Sequence, residues 1–140
     1  MKIIKLLCAA LALLGAAQLA QAQAWPAKTL TWIVPFAAGG PTDAMARDIA
    51  DKLSKQIGQQ IIIENAGGAG GTIGAGKAAR SEPDGYTFLV GHMGYMGAAP
   101  SLYKKLTYDP VKDFEAVFRF PDTPLVLLVP EASPYKTAAD

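Results

Sequence analysis

Residues 33–53 read IVPFAAGGPTDAMARDIADKL. An apolar run stops at Pro35, a turn of small residues follows, and then the pattern changes to helical periodicity. Pro41 suits the first helical position, which makes Gly40 the N-cap and puts Asp43 in the first turn, beside the positive end of the helix dipole. Met45, Ile49, Leu53 and Ile57 recur at i+4, and Ala46 and Ala50 widen that stripe. Gly58 stands where a left-handed C-terminal cap is expected. Strand, glycine turn and helix in that order build a concave corner of backbone amides.

Outward from this corner the same alternation continues. The stretch TLTWIVPF (29–36) is rich in β-formers, QIIIEN (60–65) predicts a second strand, and a short helix is expected near 73–80. EPDG (82–85) is a turn in which proline presets φ, and YTFLVG (86–91) predicts a third strand. Strand, helix, strand, helix, strand specifies an α/β lobe with a parallel sheet flanked by helices. Beyond residue 91 the chain is looser, with further strands expected at 115–120 and 124–130 and a helix opening at SPYKTAAD (133–140).

The chain has 140 residues, and 51% of them are hydrophobic. Lys2 and Lys5 precede the apolar run Leu6 to Ala17, and Ala20-Gln21-Ala22 supplies an A-x-A cleavage site. This is the pattern of a secretory signal peptide, too short and wrongly flanked for a membrane span. Cleavage after Ala22 or Ala24 predicts an exported, periplasmic protein. It also removes Cys8, the only cysteine, which excludes a disulfide or thiol nucleophile in the mature chain. His92 is the only histidine, so a His-rich metal site is excluded. The near-neutral charge gives no sign of a nucleic-acid partner. No cofactor, metal or catalytic residue is expected.

Three readings compete for the glycines. GTIGAGKA (71–78) matches G-x-x-x-x-G-K, but Ala78 stands where a nucleotide-binding loop needs a hydroxyl for magnesium. The tract at 67–76 also suits close packing of a helix on a sheet. In the third reading, the amides after the first strand hold a carboxylate. Glycines 39 and 40 let a ligand approach the backbone, and Thr42 adds a hydroxyl. No Lys or Arg lies between Lys28 and Arg47.

Three stretches together carry a resemblance: WPAKTLTWIVPFAAGGPTDAMARDIADKL, GQQIIIENAGGAGGTIGAGKAARSEPDGYTFLVGH and APSLYKKLTYDPVKDFEAV. They resemble the Bug family, extracytoplasmic solute receptors of tripartite tricarboxylate transporters, and the resemblance spans residues 25 to 140. It implies the first lobe of a two-lobed, type II periplasmic binding protein that is monomeric when intact. Such a receptor captures a small organic carboxylate without catalysis and passes it to membrane permease subunits. Carried over by motif, the ligand-binding residues are Phe36, Ala37, Ala38, Gly39, Gly40, Thr42 and Asp43 in the first loop. The loop after the third strand adds His92, Met93 and Gly94. Phe36 serves as cleft wall in that reading or as plain core in the simpler one, and Asp43 as ligand contact or as dipole partner. Tyr103 and Tyr108 are read as packing.

Where the family has ENRPGAGG, this chain has Ala66 and Gly67 in place of Arg and Pro, and that stretch is assigned no ligand contact. Residues 1–22 are expected to be the signal peptide, 23–122 the first lobe, and 123–140 a crossover strand with the start of a truncated second lobe. A fragment of a receptor is therefore expected, with a degenerate remnant lacking binding activity as the alternative. A nucleotide-binding enzyme using 71–78 is the third possibility.

Overall fold

A three-stranded parallel sheet in the order β2-β1-β3 organises the chain, with β1 (Leu30–Val34) between β2 (Ile61–Asn65) and β3 (Thr87–Leu89). The computed structural model describes residues 25–120, 128–135 and 137. Register aligns Trp32 with Ile63 on one side and with Phe88 on the other. As the central strand, β1 is the most deeply buried, as its continuous apolar run requires.

Helix α1 (Pro41–Ile57) starts and stops where its sequence dictates. Gly40 is the N-cap, Pro41 opens the helix, and Gly58 closes it at φ 70°, its N–H donating to Ser54 O at 3.0 Å. Its buried face lies on the side of the sheet carrying Leu30, Trp32 and Val34. The deepest positions are the alanines: Ala46 and Ala50 are buried, while Ile49, Leu53 and Ile57 pack around them half-buried. Small side chains let the helix axis approach the bulky Trp32, and the longer residues close the margins of that contact.

Helix α2 (Thr72–Ala79) packs on β1 and β3 and contributes Ala75 to a second cluster with Tyr95, Ala99 and Tyr108. Phe36, at the end of β1, touches both clusters. After β3 comes a π-helical turn at Gly94–Ala98, followed by the short helix α3 (Ala99–Leu102). The composition of this stretch marks it only as loose chain. Residues 25–28 are fastened to the turn before β3: Trp25 Nε1 donates to Gly85 O at 3.2 Å, and Lys28 pairs with Asp84 at 2.8 Å.

One expected strand does not form. Residues 115–120 are irregular, with Val117 and Phe118 exposed. A strand needs a partner edge as well as a β-prone composition, and none of the three described strands pairs with this segment. The expected strand 124–130 lies largely outside the described residues, and 128–130 are not in a strand. Of the expected helix at 133–140, residues 133–135 and 137 are described and are not helical. The proposed signal peptide lies outside the described residues. Among the described residues no helix is long and apolar enough to cross a membrane.

Candidate functional site

Because all three strands run parallel, the loops after β1 and β3 emerge at the same end of the sheet. Ligands of open α/β sheets bind at that carboxyl end. Phe36 and His92 meet there edge to face, with ring centroids 5.3 Å apart. Tyr95 completes the aromatic group at 6.0 Å from each ring. The two loops singled out by the sequence are therefore neighbours in space. Thr42 is half-buried on the first turn of α1, while Ala37, Ala38 and Met93 are exposed.

No hydrogen bond among the described residues occupies the backbone N–H groups of Ala37, Ala38, Thr42 and Asp43. The N-cap Gly40 supplies no side-chain acceptor to the first turn. These amides form the donor-rich corner that the glycine turn implied. Gly39 differs, because its N–H donates to Asp43 Oδ2 at 2.8 Å. Its φ of +83° is the left-handed conformation that favours glycine, whereas Gly40 at φ −76° occupies a region open to any residue. Of the two adjacent glycines, only Gly39 is demanded by the backbone.

Asp43 is buried, at 2% exposure, and faces inward. Its Oδ2 also accepts from Arg47 Nε at 2.9 Å, and its Oδ1 accepts from Asn65 Nδ2 at 2.9 Å. The Arg47 guanidinium foremost, then the Gly39 and Asn65 donors, hold its carboxyl far below the usual carboxylate range. Asn65 also donates to Phe36 O at 3.2 Å and accepts from Arg47 Nη2 at 2.9 Å. Neither Arg47 nor Asn65 was singled out in the sequence. The Asp43-x-x-x-Arg47 spacing, an i,i+4 pair on a helix, is the one signal that pointed to Arg47.

On the second loop, His92 is exposed and its Nδ1 accepts the Gly94 N–H at 3.0 Å. In the neutral ring that bond puts the proton on Nε2, leaving a donor on the ring's other side. Tyr95 lies beneath, fully buried, with its hydroxyl donating to Val90 O. Burial pushes the Tyr95 phenol up, so it stays a neutral donor.

The glycine-lysine stretch is built for packing. A Cβ on Gly74 would stand 2.5 Å from Ala66 O, and one on Gly76 would stand 2.2 Å from Thr107 Oγ1. Lys77 lies in the last turn of α2 and pairs with Glu64. A phosphate cradle needs a free lysine, and here Lys77 is held by Glu64. Among the described residues no group of three or more His, Cys, Asp or Glu could hold a metal ion.

Comparison with known proteins identifies the family and the fold. The family model described as tripartite tricarboxylate transporter family receptor matches residues 45–140. A UPF0065 protein from the TAR-I ttuE-ttuC' intergenic region of Agrobacterium vitis is 43% identical over 122 residues, covering 86% of this chain and 35% of that protein. The structure of the periplasmic binding protein BugD aligns with a TM-score of 0.62 at 48% identity, over 65% of this chain and 30% of BugD. MatC from Rhodopseudomonas palustris, solved with bound malate, aligns with a TM-score of 0.61 at 53% identity, over 64% of this chain and 31% of MatC. The chain thus spans about a third of the length of these relatives.

Proposed function

The chain belongs to the tripartite tricarboxylate transporter receptor family, a family of solute receptors and not of enzymes, and from that premise we propose that it forms one wall of a carboxylate-binding site. The wall consists of the 36–43 loop and residues His92 to Gly94. Its ligand is a small organic carboxylate, captured outside the cytoplasmic membrane and passed unchanged to the permease of a tripartite transporter. The observation that carries this reading is the Phe36–His92 contact at 5.3 Å, which brings the two loops side by side at one end of the sheet. Neutral donors then serve the anion: the amides of Ala37, Ala38 and Thr42, the Thr42 hydroxyl and His92 Nε2. Phe36 offers an apolar surface to the ligand's carbon chain, and Asp43 acts from behind by shaping the loop. BugD's periplasmic location and the malate bound to MatC support the same reading.

This wall alone binds weakly. Three charge-assisted hydrogen bonds contribute at most about 9 kcal/mol gross. Lost translational and rotational freedom costs at least about 4 kcal/mol. The remainder corresponds to a dissociation constant of about 0.2 mM or weaker. Titrating malate into the isotope-labelled chain and following backbone amide shifts tests the proposal. Saturable shifts confined to residues 36–43 and 92–94 are expected. Shifts confined to 71–78, or none at millimolar malate, would remove the assignment.

A further inference from the structure

We infer that Asn65 and Arg47 are the positioning residues of this carboxylate wall, an inference that rests on the site proposed above. Asn65 closes β2 directly opposite Val34, the last residue of β1. Its single Nδ2 donates both to Phe36 O, where the loop begins, and to Asp43 Oδ1, where α1 has begun. Arg47 Nη2 donates to Asn65 Oδ1 and fixes which way round that amide lies. Arg47 Nε and the Gly39 N–H both donate to Asp43 Oδ2. The loop is therefore fastened at residues 36, 39 and 43, with the amides of Ala37 and Ala38 held between the fasteners.

These contacts set the loop and not the fold. None of Asp43, Arg47 and Asn65 belongs to either apolar cluster, and the Arg47 side chain is half exposed. Between β1 and α1 the backbone makes only two turn bonds, Phe36 N–H to Val34 O at 2.8 Å and a long one from Gly40 N–H to Ala37 O at 3.4 Å, and the side chains that cross the segment supply the rest of its fastening. Arg47 has a second effect. The Asp43 carboxylate sits just behind amides meant for an anion, and the guanidinium offsets its charge at 2.9 Å. A loop held in its binding shape loses less freedom when the ligand arrives, which is how groups that do not touch a ligand strengthen its capture.

The test uses the purified 140-residue chain with Asn65→Leu and, as a milder second variant, Arg47→Lys. Arg47→Lys keeps the charge but cannot reach Asp43 and Asn65 with a fork. Backbone order parameters and malate titration are measured for each. In both variants the order parameters of residues 37–40 are expected to fall toward about 0.6, while those of 46–53 stay near about 0.85. Malate binding is expected to weaken at least about fivefold, about 1 kcal/mol of lost preorganisation. Unchanged loop order and affinity, or an equal loss of order in 46–53, would overturn the positioning role. Absence of malate shifts in the unaltered chain would instead overturn the site itself.

Discussion

The Tyr95 ring fills the space that a side chain on Gly71 would need: a Cβ there would stand 2.3 Å from the ring's Cδ1. Gly71 precedes α2 and Tyr95 lies in the turn after β3, so the glycine lets the 3₁₀ turn at Ala69–Gly71 close over the aromatic group behind the site.

Gly71→Ala should therefore be costly. Overpacking against the buried ring and a left-handed φ of +95° together cost about 2–5 kcal/mol. Gly67→Ala is the control, since its Cβ would meet Ala37 N at an ordinary 3.5 Å. It should change stability by less than about 0.5 kcal/mol. Urea unfolding of both variants measures the contrast, and equal losses would mean that Gly71 is not a packing position.

The two glycines of the ligand loop should respond differently as well. Gly39→Ala forces a left-handed side-chain-bearing residue and should cost about 1 kcal/mol. Gly40→Ser occupies an N-cap at φ −76°, where serine is favoured, and should be neutral or stabilising by a few tenths of about 1 kcal/mol. Denaturant midpoints decide this, and the reverse ranking would contradict the loop's geometry.

Acid should expose the Asp43 network. Its folded-state pKa is depressed by Arg47, Gly39 and Asn65, so its contribution is present above the unfolded value of about 3.9. It declines as pH falls below that value toward the folded pKa. The stability difference between the unaltered chain and Asp43→Asn should be constant from about pH 7 to pH 5 and narrow steadily below about pH 4. A difference flat down to about pH 2.5 would show that the carboxylate is not held this way.

Lys77→Ala should have little effect. The Lys77–Glu64 pair is solvent-exposed on both sides, and such pairs contribute less than about 1 kcal/mol. Malate shifts should be unaltered, and ATP should leave the melting temperature of the unaltered chain unchanged. A thermal shift with ATP that disappears in Lys77→Ala would revive the nucleotide reading.

What was legible in the sequence acts over a few residues. The restricted φ of Pro41, the left-handed freedom of Gly58 and the stripe of Ala46, Ile49, Ala50, Leu53 and Ile57 set both ends and the inward face of α1. Apolar runs marked the three strands, and the order of three stretches pointed to the receptor family. The fate of the remaining residues depended on partners far along the chain. Asp43 meets Asn65 across 22 residues, and Trp25 meets Gly85 across 60. The same glycines that resembled a phosphate loop became packing positions because Tyr95, Pro35 and Thr107 came to lie against them. Residues 115–120 had the composition of a strand, but pairing requires an adjacent edge, and the described sheet offers that segment none. Local dihedral preference and periodicity are properties of a short stretch, whereas burial, charge pairing and strand neighbours exist only once distant stretches occupy the same space.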